Sequence, residues 1–165
     1  MKDKGLFLRW SLFMSLVVIL SIVAASLGWI GYLRNDPTHI TLVTLGVFAL
    51  ASAWCGRLSW RLSSGHDYRE VEVSLMHGWF ASSLCVSIGL IGTAVGYYLM
   101  LNHLNDGGGA GEAVKRISGH ASVAIVNTIF GGICGALVEI QSHFIESTVK
   151  TASLNERLVM KKDKP

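Results

Sequence analysis

Four side chains in the C-terminal half have the chemistry to handle an ion: Thr93, Asn127, Thr128 and Glu139. A hydroxyl donates and accepts hydrogen bonds, an amide offers two donors and an acceptor, and a carboxylate accepts a proton or faces a cation. In hydrocarbon such groups are costly unless they bond a neighbouring helix or line a polar path. Glycines surround them: Gly89, Gly92 and Gly96 in "GLIGTAVG", and Gly131, Gly132 and Gly135 in "VAIVNTIFGGICGAL". At about 100° per residue, Thr93 shares a helical face with Gly89 and Gly96, and Thr128 shares one with Ala121, Ala124, Gly131 and Gly135. Glu139 returns to nearly the face of Thr128, some 16 Å further along at helical rise. Each residue also has a plainer use. A threonine in a membrane helix can bond the carbonyl one turn earlier, and Glu139 can mark where a helix meets water. The two threonines nevertheless lie at similar depths, roughly 12 and 16 Å below the outer ends of their helices, which favours a polar seam. Asn127 then seeks a neighbouring helix or a pore.

The elements that carry these residues follow from composition. Of the 165 residues 51% are hydrophobic and 15% charged, with mean hydropathy +0.47, against roughly half apolar and a quarter charged in soluble domains. The charges are confined to short stretches between long uncharged runs. The first run, Trp10 to Leu33, is long enough to cross about 30 Å of hydrocarbon as a helix. Lys2, Lys4 and Arg9 ahead of it would also suit a secretion signal, but the run exceeds the roughly 7–15 apolar residues of one. A turn at "RNDPTH", with Asp36 and Pro37, leads to a second run, Ile40 to Gly56. The third is most apolar over 79–101 and the fourth over 117–138. The expected fold is an all-α membrane protein forming a single membrane domain: helices over about 10–33, 40–56, 79–101 and 117–138 in two antiparallel hairpins, and a helical cytoplasmic tail over 139–165. The leucine-rich first two helices are expected to face lipid, and the glycine-bearing third and fourth to pack together, because small residues let helices associate in a lipid solvent.

Orientation follows the basic residues. With a cytoplasmic N-terminus, Lys2, Lys4, Arg9, Arg57, Arg61, Arg69, Lys150, Arg157, Lys161, Lys162 and Lys164 lie inside, and Arg34, Lys115 and Arg116 outside, so both termini are expected in the cytoplasm. The net charge of +3 then reflects topology and not nucleic-acid binding. Lys161, Lys162 and Lys164 are placed to touch anionic lipid. Cys55, Cys85 and Cys134 sit in apolar runs without metal-ligand spacing, which implies neither a disulfide framework nor a zinc site. The glycine-dense "NDGGGAGEAVKR" lacks the Gly-Lys-Ser/Thr ending of a phosphate loop and reads as a flexible connection. His120 stands near the outer end of the fourth run, where an interfacial histidine is expected.

The two glycine-threonine segments, residues 89–96 and 123–137, resemble the last two membrane helices of the MotA/TolQ/ExbB family. The resemblance implies a stator subunit of an ion-driven motor in a bacterial inner membrane. It implies a homopentamer enclosing the spans of a second, single-span subunit of the MotB/TolR/ExbD type in two copies. Thr93 and Thr128 match the family's pore-lining threonines, and Gly89, Gly92, Gly96, Gly131, Gly132 and Gly135 its close-packed walls. Where TolQ and ExbB place an acidic residue shortly before the second threonine, this chain has Val123. The protonatable group is therefore expected on the partner, with H+ or Na+ as the transported species and no cofactor. The cytoplasmic insertion between Arg57 and Gly78 is short for a flagellar stator. The contrasting reading is a non-conducting scaffold held together by the same glycines; neither reading is an enzyme.

Overall fold

The computed structural model describes residues 4–29, 39–64, 68–102 and 110–162, and every regular element among them is a helix. In chain order these are α1 (Lys4–Ala24), continued by a π-helical turn at Ala25–Trp29, then α2 (Ile40–Ser63), α3 (Tyr68–Asn102) and α4 (Ala110–Lys162). Four stretches are long and apolar enough to cross a membrane: Gly5–Gly28, Ile40–Ser63, Val73–Asn102 and Ile117–Leu154. The chain is thus a multi-pass membrane protein. The end of the first apolar run (30–33), the turn residues Asp36 and Pro37, the loop over 103–109 and Lys164 lie outside the described residues.

The helices overrun the apolar runs. A helix satisfies its own backbone, so it continues into charged flanks until something stops it, whereas hydropathy marks only the slab. Thus α2 runs past Gly56 to Ser63, α3 begins at Tyr68, and α4 continues unbroken for 53 residues. Two stops are explicit. Gly28 takes φ 92°, a left-handed conformation that residues with side chains rarely adopt. At the end of α2 the N–H and hydroxyl of Ser64 both donate to the Trp60 carbonyl, at 3.0 Å each.

Packing in the spans is sorted by size and polarity. Leu12 and Leu50 are 70% and 75% exposed, whereas Asn127 and Gln141 are 2% and 1% exposed. Leucine gains nothing from leaving lipid tails for protein, while a polar group gains a partner, so the interior collects small and polar residues. The face of α2 formed by Thr41, Thr44, Ala51, Ser52, Cys55, Gly56 and Ser59 is buried. This refines the expectation that the first two helices both face lipid: α1 leaves only 6% of its span buried, whereas α2 buries this one face, 33% of its span and as much as α4, and keeps Leu42, Val43 and Leu50 exposed on the other. On the side of the chain termini the interior is apolar instead: Leu6, Leu58, Leu62, Val71, Leu75, Ile145 and Val149 join Cys55 in one core cluster.

Between these zones a polar tie holds α1. Trp10 Nε1 donates to Gln141 Oε1 (3.1 Å), and Gln141 Nε2 donates to Ser52 Oγ (3.2 Å). The Trp10 ring lies in the notch left by Gly56, where an added Cβ would come within 2.5 Å of it, and Phe13 meets the ring of Phe144 edge-on.

Candidate functional site

α3 and α4 cross along a seam of glycines. A Cβ at Gly89 would stand 2.9 Å from the Gly131 Cα, and one at Gly96 would stand 2.7 Å from the Ala124 Cβ. A Cβ at Gly135 would meet Val86 at 2.7 Å and the Ser82 carbonyl at 3.0 Å, and Ser82 Oγ donates to the Gly135 carbonyl at 2.9 Å. As α3 is followed from Ser82 to Gly96, its contacts on α4 move back from Gly135 to Ala124, so the two helices run in opposite senses. Gly132 differs. It is exposed, and a Cβ there would meet nothing within 4 Å, so it takes no part in this seam.

The backbone approach brings the two threonines together. The Thr93 and Thr128 hydroxyls are hydrogen-bonded to each other. Thr93 Oγ1 also lies 2.9 Å from the Gly89 carbonyl and 3.2 Å from the Ala124 carbonyl, and Thr128 Oγ1 lies 3.2 Å from the same Ala124 carbonyl. Local back-bonding therefore exists, as it does for Ser21 and Ser87 on exposed faces. The threonine pair goes beyond it: two hydroxyls and two carbonyls from two helices converge. Each hydroxyl carries one proton and chooses among several acceptors, so the cluster can reorient without breaking the fold. The same oxygens suit a hard cation.

Asn127 takes a different course. One residue before Thr128, and about 100° round the helix, it points into the protomer. Its Oδ1 accepts from Thr41 Oγ1 at 2.6 Å, and its side chain fills the gap over Gly92, where a Cβ would come within 2.8 Å of Nδ2. Nδ2 has no hydrogen-bond partner. The structure therefore places Thr93 and Thr128 together and sets Asn127 apart from them, on the α2 side.

Glu139 is exposed. With Thr128, Gly132 and Ala136 it forms one stripe of α4 at helical spacing, small or polar throughout and exposed at each position. His120 is half-buried. Among the described residues no three His, Cys, Asp or Glu side chains are grouped to hold a metal ion.

Several residues that position the site escaped sequence reasoning. Thr41, Ser82 and Gly78 contribute no chemistry of their own to a pattern search, yet Thr41 fixes Asn127, Ser82 ties α3 to α4, and Gly78 makes room for Ser142. A signal was present in α2, where small or hydroxyl-bearing residues recur at helical spacing at Thr41 and Thr44 and again at Ser52, Cys55 and Ser59.

Residues 70–157, just over half of the chain, match the family model MotA_ExbB, described as the MotA/TolQ/ExbB proton channel family. The matched segment is α3 and α4, the pair that carries both threonines. No curated protein and no solved structure matches the chain.

Proposed function

The chain belongs to the MotA/TolQ/ExbB proton channel family, and from that premise we propose that it is the ion-conducting stator subunit of a membrane motor, driven by a proton or sodium gradient. The observation that carries this reading is the Thr93–Thr128 hydroxyl pair beside the exposed stripe Thr128, Gly132, Ala136 and Glu139. Both termini lie in the cytoplasm, the helices form two antiparallel hairpins, and the membrane is the bacterial inner membrane.

Five copies form a ring with the α3–α4 faces inward. The stripe then lines a lumen that receives two copies of a single-span partner. Gly132 and Ala136 leave that wall smooth, so an inserted helix can turn against it with little steric resistance. The carboxylate that loads and unloads the ion belongs to the partner's span. The hydroxyl cluster provides the transient oxygen partners through which the ion passes between that carboxylate and the aqueous exit, and Glu139 stands at the inner mouth. Asn127 acts as a positioning residue, fixing α4 against α2 through Thr41 so that Thr128 faces the lumen.

The test replaces both hydroxyls by methyl groups, Thr93→Val with Thr128→Val, and measures gradient-driven ion flux in proteoliposomes containing chain and partner. Flux is expected to collapse while the oligomer elutes unchanged. Undiminished flux would remove the hydroxyl pair from the pathway and leave the glycine seam as mere scaffolding.

A further inference from the structure

Away from the threonine seam, α2 and α3 enclose a small cavity of about 110 Å³, lined by Trp54, Arg57, Leu58, Arg61 and Ser74. The four α2 residues have the spacing of one helical face, and Ser74 closes the opposite wall from α3. Trp54 packs obliquely against the His77 ring of α3, with centroids 6.2 Å apart. Leu58 is buried and gives the cavity its floor. Arg61 and Ser74 each also interact within the protein, and Arg57 is exposed.

The depth of this cavity carries the inference. The uncharged stretch of α2 ends at Gly56, so Arg57 bears the first charge beyond the hydrocarbon slab, with Trp54 about one turn deeper. Tryptophan settles at the membrane interface, and arginine extends its stem along apolar surface towards the headgroups. One turn beyond Trp54 towards the bilayer centre, Leu50 lies open on the same helix, 75% exposed. The order along α2 is therefore leucine, tryptophan, two arginines, which parallels the order of acyl chain, glycerol and phosphate in a phospholipid. Guanidinium groups one turn apart can bracket a single phosphate with paired N–H bonds.

We propose that this cavity binds the phosphate headgroup of an anionic phospholipid in the leaflet on the side of the chain termini, with the lipid's acyl chains lying along Trp54 and Leu50. A free phosphate shares the headgroup chemistry but gains nothing from that apolar track. The site requires only that α2 span the bilayer, so it stands or falls separately from ion conduction.

Native mass spectrometry of the purified full chain, titrated with phosphatidylglycerol and with phosphatidylcholine, reads the preference directly. Phosphatidylglycerol is expected to be retained over phosphatidylcholine. Arg57→Gln should weaken its retention about fivefold, the effect of one interfacial basic residue. Arg57→Gln with Arg61→Gln should weaken it further, and Arg57→Lys less than Arg57→Gln. Arg9→Gln, which removes an exposed charge of α1 outside this cavity, should leave retention unchanged, and inorganic phosphate should not displace the lipid. Equal retention by wild type and Arg57→Gln would overturn the proposal. An equal loss in Arg9→Gln would reduce the effect to diffuse surface charge, and displacement by inorganic phosphate would make this a soluble-anion site; either result defeats the assignment to lipid.

Discussion

Asn127 and Thr128 are neighbours in sequence with opposite roles, and the difference lies in what the helix turns each of them towards. Thr128 meets the hydroxyl of Thr93, while Asn127 is buried with its Oδ1 on Thr41. Thr41→Val is expected to lower stability by about 0.5–1.5 kcal/mol, the usual range for one hydrogen bond between membrane helices, as measured by steric-trap or denaturant unfolding in detergent; a change near zero would mean that Thr41 does not hold Asn127. Thr128→Ser keeps the oxygen and should keep ion flux, whereas Thr128→Val alone should reduce flux about tenfold, equivalent to about 1.4 kcal/mol at the barrier. The threonines could be found from sequence because residue type and spacing put both on small-residue faces of adjacent helices. The direction of Asn127 could not, because Thr41 lies in a different helix and no periodicity links positions so far apart.

Among the helices, glycine acts through what it meets, and the glycines flanking the two threonines on α3 and α4 are not equivalent. Gly89→Ala or Gly131→Ala would force a methyl group against the opposing backbone at 2.8 or 2.7 Å, and neither backbone can move aside alone. Each should cost about 1–3 kcal/mol by overpacking, seen as a lower unfolding temperature of the purified chain. Gly132→Ala meets nothing and should leave that temperature unchanged; a loss matching that of Gly89→Ala would mean that Gly132 belongs to the packed seam after all. Sequence periodicity showed that glycines cluster on α3 and α4 but not which of them touch, because Gly131 and Gly132 differ only by a step of about 100° round one helix. The buried face of α2 was missed for a related reason. Its leucines made it look lipid-facing, yet in hydrocarbon the buried side of a helix is marked by Thr41, Ser52, Cys55 and Ser59 and not by hydrophobicity.

At the scale of the whole chain, large apolar side chains point outward along all four spans, and the small and polar groups gather inside. The fold class was readable because runs of apolar residues must become helices in lipid. The helical course of the chain after Val138 was readable as well, and α4 runs unbroken to Lys162 although hydropathy falls away. Electron microscopy of the purified assembly should show a five-fold ring with α4 innermost; a different symmetry, or α1 at the centre, would end the stator reading. The length of α4 has a mechanical corollary. As one uninterrupted rod of about 80 Å at helical rise, it locks the azimuth of its own distal turns to that of Thr128. Inserting a single alanine near Thr151 would swing the distal segment by about 100° while leaving the hydroxyl cluster untouched, so the face that this segment turns outward, read by the accessibility of cysteines introduced there, should shift with each added residue and return close to register after a full turn.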